Sequence, residues 1–110
     1  MPSQFGSSTP PPVVIVQQPS GAKIFVALVS PLEVGRDCDG LLIADSFISR
    51  RHLRLDVDNV IVTVTDLHTT NGTMFNGQPM LIPTVLAVGD VATFGRCRLW
   101  LKAGEDPPGP

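Results

Sequence analysis

The chain has 110 residues, 43% of them hydrophobic, with eight basic and ten acidic side chains, a formal net charge of −2 and a pI near 5.5. That length suits one domain with a real core, and the charge argues against an electrostatic nucleic-acid binder, whose surface is strongly basic. No apolar run approaches the roughly 18 residues of a membrane-spanning helix, and the N-terminus lacks the basic start and apolar stretch of a signal peptide, which together predict a cytoplasmic protein without a membrane partner.

In chain order, residues 1–12 (MPSQFGSSTPPP) are rich in Ser and Pro and hold no charge, predicting a flexible leader. Val13-Val14-Ile15-Val16 is a β-branched run suited to a strand. Lys23 to Val29 is apolar on both faces after Lys23, predicting a strand buried inside a sandwich. Leu53, Leu55 and Val57 alternate with Arg54, Asp56 and Asp58, and Val60, Val62 and Val64 alternate with Ile61, Thr63 and Thr65. Cys97, Leu99 and Leu101 alternate with Arg98, Trp100 and Lys102. A period of two marks half-solvated antiparallel strands. Pro19-Ser20-Gly21, Asp58-Asn59, Asn71-Gly72, Asn76-Gly77 and Gly89-Asp90 supply the turns between them. Residues 103–110 (AGEDPPGP) predict a Pro-rich tail or linker, and no window carries a capped amphipathic helix. Periodicity alone therefore predicts an all-β sandwich or barrel with about seven strands.

Cys38 and Cys97 stand far apart, outside any C-x-x-C unit, and are expected to be reduced thiols. With His52 and His68 they lack the spacing of a metal site, and neither a Walker nor a dinucleotide glycine pattern is present. No cofactor is expected.

Four clusters in turns carry more than turn chemistry: Gly35-Arg36, Ser49-Arg50-Arg51-His52, Thr70-Asn71-Gly72 and Asn76-Gly77. Together they resemble the forkhead-associated (FHA) domain family, whose implied ligand, a phosphothreonine, brings about −1.5 to −2 charges and three strong acceptor oxygens. Its binding needs a guanidinium fork, hydroxyls and free backbone N–H groups, which Arg36, Ser49, Arg50 and Thr70 can offer from loops. Each charge-assisted bond contributes about 1.5–3 kcal/mol.

The order and spacing of these clusters, closed by Val88-Gly89-Asp90 and Phe94-Gly95, resemble the FHA domain family from about Val13 to Lys102. The resemblance implies a two-sheet antiparallel, FHA/SMAD-like β-sandwich of about 11 strands, with the ligand loops at one end. It also implies a phosphothreonine-dependent protein-interaction module in Ser/Thr kinase signalling, not an enzyme. On that basis Arg36 and Ser49 contact the phosphate, Arg50 adds a second cation, Thr70 donates to a phosphate oxygen, and Asn71 bonds the peptide main chain. His52 is expected to brace the loops from inside. Gly35, Gly72, Asn76 and Gly77 are expected to serve backbone geometry. Preference for phosphothreonine over phosphoserine follows in this family from a hollow for the threonine methyl. The implied partner is a phosphorylated Ser/Thr kinase or a kinase substrate, met by a monomer.

Plainer readings stand beside these. Arg50, Arg51 and Arg54 also suit an exposed strand edge, where charge discourages aggregation, with Arg54 the one best read that way, and Asn76-Gly77 is a common hairpin turn. Ser49, His52 and either Asp66 or Asp45 make a Ser-His-Asp set on paper, but no nucleophile elbow accompanies them. Two other functions fit the same fold: a phosphate-independent interaction or dimerisation module using the face around Trp100, and the regulatory part of a larger enzyme. Thr9, in Ser7-Ser8-Thr9-Pro10, is a candidate phosphosite for self-association.

Overall fold

A computed structural model describes residues 9–103 of the chain. Most of the predicted leader and tail lies outside these residues. Eleven strands form in order: β1 (Val13–Gln17), β2 (Lys23–Ala27), β3 (Leu32–Gly35), β4 (Leu41–Leu42), β5 (Leu53–Asp58), β6 (Ile61–Asp66), β7 (Met74–Phe75), β8 (Gln78–Pro79), β9 (Thr84–Leu86), β10 (Ala92–Phe94) and β11 (Cys97–Leu101). They make a six-stranded sheet, ordered β2-β1-β11-β10-β7-β8, and a five-stranded sheet, ordered β4-β3-β5-β6-β9. No helix forms among the described residues, so no helix is long and apolar enough to cross a membrane. The all-β sandwich of about eleven strands is therefore borne out.

Alternation builds the core. Val14 and Val16 of β1, Leu53 and Leu55 of β5, Val62 and Val64 of β6 and Leu99 of β11 point inward and are fully buried between the sheets. Each such side chain contributes about 1.5–3 kcal/mol by leaving water. Phe94, Ile43 and Ile48 close the core at the end where the loops following β4, β6 and β10 meet.

Three expectations need correction. Val60 is not part of β6 but sits exposed in the turn before it, which takes Asn59 through a positive φ of 58°. The run Lys23–Val29 is not buried on both faces. The strand β2 ends at Ala27 and lies at the sheet edge, with Phe25 at 58% exposure and Val29 at 74%. One pair, β3 with β4, is parallel rather than antiparallel. Gly40 permits the crossover between them: a Cβ there would lie 2.0 Å from the Glu33 carbonyl oxygen. Cys38 and Cys97 are free thiols, as expected.

Candidate phosphopeptide-binding site

The strand β3 ends at Gly35, where a Cβ would lie 2.0 Å from the carbonyl oxygen of Arg50. Only a bare backbone allows the segment before β5 to run this close. The approach is fixed by three bonds: Arg36 N–H to Ser49 O (3.0 Å), Asp37 N–H to Arg50 O (2.9 Å) and His52 N–H to Val34 O (2.9 Å). Arg36 is thus held beside Ser49 and Arg50. Its Nε donates to the Ile48 carbonyl at 3.3 Å, which steadies the stem while the terminal guanidinium nitrogens form no hydrogen bond among the described residues. Arg36 and Arg50 are exposed and Ser49 half-buried.

His52 joins this segment to the loop between β6 and β7. It is fully buried, with its ring 5.4 Å from that of Phe94. Ser49 donates its backbone N–H to Nδ1 at 3.0 Å, and Nε2 lies 2.9 Å from the Gly72 carbonyl oxygen. These two contacts assign the tautomer with the proton on Nε2. Gly72 adopts a positive φ of 76°, a conformation that favours glycine. Its N–H donates to Oγ1 of Thr69 at 3.0 Å. The Thr69 hydroxyl in turn donates to Asp66 at 2.7 Å, and Thr73 donates to the same carboxylate oxygen at 2.8 Å. The loop presenting Thr70 and Asn71 is therefore internally bonded on both sides of its tip.

A third tie crosses between the sheets. The Asp45 side chain is fully buried in the loop after β4. It accepts from Phe47 N–H (3.0 Å), Arg96 N–H (2.9 Å) and the Arg96 guanidinium (3.0 Å). Arg96 also stacks 4.8 Å above the Phe47 ring. The Phe47 carbonyl then accepts from Nδ2 of Asn71 at 2.8 Å. Gly95, at a φ of 57°, leaves room for Ile48, whose Cγ2 would meet a Cβ at 2.4 Å. Four loops are so joined at one end of the sandwich. Beside Asn71 a cleft of about 340 Å³ opens, lined by Phe47, Met74, Thr93, Phe94 and Arg96.

The carboxylates of these ties are ionised by design. Burial pushes Asp45 up, but the N–H groups of Phe47 and Arg96 and the Arg96 guanidinium outweigh it and hold the carboxyl below its ordinary value. Burial likewise raises Asp66, and the Thr69 hydroxyl and N–H with the Thr73 hydroxyl pull it below. Next to Asp45, burial and the nearby carboxylate push the Cys97 thiol up to about 11.

The sequence pattern of the FHA domain matches residues 32–95, more than half of the chain. The chain belongs to the FHA domain family. It is 31% identical over 99 residues to the glycogen accumulation regulator GarA of Mycobacterium tuberculosis, covering 86% of this chain and spanning 60% of the length of that relative. Among solved structures, it resembles the FhaA FHA domain complexed with the intracellular domain of Rv3910 (28% identity, TM-score 0.71, covering 83% of this chain and 99% of that one). It also resembles a structure from a study of phosphothreonine-dependent FHA domain interactions (29% identity, TM-score 0.70, covering 84% and 98%). The family is one of protein-interaction modules.

Within this FHA domain, Arg36, Ser49 and Arg50 are drawn together by backbone bonds, and Asn71 reaches their loop through Phe47. Thr70 sits exposed at the tip between Thr69 and Asn71. One N–H of Asn71 Nδ2 is engaged by the Phe47 carbonyl, which leaves its Oδ1 and its second N–H for a ligand. Asn76 and Gly77 lie at the other end of β7 from Gly72, in a hairpin with both φ values positive. Asn76 bonds Asp90 and Val91 there, supporting the turn before β10. Arg51 and Arg54 are ion-paired with Glu33 and Asp56, which leaves Arg36 and Arg50 as the arginines near the first two motifs with no carboxylate partner among the described residues. The Ser-His-Asp set is not assembled: His52 accepts from the Ser49 amide rather than its hydroxyl, and Asp66 lies 3.8 Å from Nε2. Sequence reasoning missed the roles of Asp45, Thr69, Thr73 and Arg96. The one signal for Arg96 was its place directly after the Phe94-Gly95 pair.

Proposed function

We propose that this domain reversibly docks phosphothreonine-containing proteins, in the cytoplasm, as a reader of Ser/Thr kinase activity. The observation that carries this reading is the placement of Arg36 and Arg50 on two segments joined by backbone hydrogen bonds. Both are exposed and neither forms a salt bridge among the described residues. Ser49 is bonded to the Arg36 backbone, and Thr70 lies exposed on the loop that His52 ties to the Ser49 segment; neither hydroxyl forms a hydrogen bond among the described residues. A dianionic phosphate satisfies two such cations, and the cost of ordering the loops has already been met in folding. We assign phosphate contact to Arg36, Ser49, Arg50 and Thr70, and peptide main-chain contact to Asn71. GarA is a regulator and the FhaA domain was solved on a partner's intracellular domain, which fits a docking role spanning Val13 to Lys102. The test is a phosphothreonine peptide library with phosphoserine and unphosphorylated controls, read against the wild type and Arg36→Ala. Selective binding of phosphothreonine, lost in Arg36→Ala, is the expected result. Equal binding of threonine and phosphothreonine would overturn the reading.

A further inference from the structure

Of the eight basic side chains, Arg51, Arg54 and Arg96 are each held by a carboxylate. The other five fall in two places. Arg36 and Arg50 stand at the loop end. Lys23, Arg98 and Lys102 stand on or beside the outer face of the six-stranded sheet, exposed and without a salt bridge among the described residues. The register aligns this face into two rows. Lys23 pairs with Gln17, Gln17 with Arg98, Arg98 with Thr93 and Thr93 with Met74. Beside it, Phe25 pairs with Ile15 and Ile15 with Trp100. Phe25 is 58% exposed, and Lys23 Nζ stands 5.9 Å over the Trp100 ring. A depression of about 230 Å³ lies against Trp100 and Arg98. The acid lining it, Asp90, is already bonded to Asn76 and Ala87.

The basic row has a definite origin. Its last two residues, Thr93 and Met74, also line the cleft beside Asn71. The face therefore continues the site without a break. From Met74 to Arg98 is two strand spacings, roughly 10 Å, which about three extended residues cross. We propose that this face is a second docking surface, occupied by an acidic segment bearing large apolar side chains that belongs to the same protein as the phosphothreonine. The inference rests on the phosphothreonine reading of the loop end. Acidic groups meet Lys23, Arg98 and Lys102, while an apolar side chain packs on Phe25 and Trp100. Because both contacts lie on one partner, the second adds to the first through effective concentration.

The test uses a short phosphothreonine peptide with neutral flanks. The same peptide is also lengthened at either end by an arm of Asp, Glu, Leu and Trp, or by a Gly-Ser arm. One acidic arm is expected to tighten binding about tenfold over the short peptide. Arg98→Glu, and separately Trp100→Ala, should return the long peptide to the short peptide's affinity while leaving the short peptide's affinity unchanged. No gain from either acidic arm, an equal gain from the Gly-Ser arm, or a gain that survives Arg98→Glu overturns the proposal. A dimer in light scattering that Arg98→Glu converts to monomer assigns the face to a second copy and also overturns it. Failure of the phosphothreonine reading is separately visible, because the short peptide then binds no better than its unphosphorylated form. In that case the unphosphorylated acidic arm alone is the probe. Binding lost in Arg98→Glu upholds the face, and absence of binding overturns it.

Discussion

Ser49 gives its backbone N–H to Nδ1 of His52 at 3.0 Å, so a loop residue aimed at solvent is anchored to a side chain with no solvent exposure. Removing the ring breaks the contacts to Ser49 and Gly72 at once and leaves a hole against Phe94. His52→Ala is expected to cost about 2–4 kcal/mol of folding stability, checked by urea denaturation. Phosphopeptide affinity of the remaining folded protein should also fall, because two loops lose their common anchor.

Arg36 behaves in the opposite way. It is exposed, and its side chain's one hydrogen bond among the described residues is to the Ile48 carbonyl. Arg36→Ala should leave the urea midpoint nearly unchanged yet weaken phosphothreonine binding about 10- to 100-fold, the value of one charge-assisted contact. Arg36→Lys keeps the charge but not the planar fork, and calorimetry should place it between the two.

Gly35 tests the backbone approach directly. A methyl group at 2.0 Å from the Arg50 carbonyl oxygen cannot be accommodated without moving one strand. Gly35→Ala should lower stability by about 3 kcal/mol or more and reduce binding, with loss of dispersed amide resonances around Arg36 and Arg50 as the readout.

Acid sensitivity follows from Asp45 and Asp66, both held below the ordinary carboxylate range. Their contribution is fully present above the unfolded-chain aspartate pKa of about 3.9 and is lost as the pH falls through the lower folded values. Stability should therefore change little from these groups near neutrality and drop below about pH 4. Asp45→Asn should flatten part of that drop and lower stability at neutral pH, since an amide N–H would then face the Arg96 donors.

The two thiols should separate cleanly. Cys97 is buried and its thiol is pushed up to about 11, whereas Cys38 is half-buried near the surface. A thiol reagent at neutral pH should label Cys38 alone in the native protein and both after denaturation. Native labelling of Cys97 would contradict the packing around Asp45.

Much of this was legible in the sequence because burial on one face writes a period of two. Leu53–Asp58 and Cys97–Lys102 show it plainly. The strands β4, β7 and β8 have two residues each, too short for any period to appear. Lys23–Val29 misled for a physical reason: an apolar edge strand reads like a central one, although Phe25 faces solvent. At the site, Arg36, Ser49 and Thr70 were visible as residue types suited to an anion. The clasp between Asp45 and Arg96 was not visible, because the two lie 51 positions apart and nothing local marks the pair.

The Asp45 clasp joins a loop of the five-stranded sheet to the Gly95-Arg96 turn of the six-stranded one. That makes the loop end a seam that must stay shut for either sheet to keep its partner. In hydrogen exchange the amides of Phe47, Ser49, Gly72 and Arg96 should then open only with the whole domain, as core strands do. On the proposed docking function, loops already tied by Asp45 and His52 would answer a ligand with almost no rearrangement, and the message would pass on through which proteins are brought together and not through a change of shape.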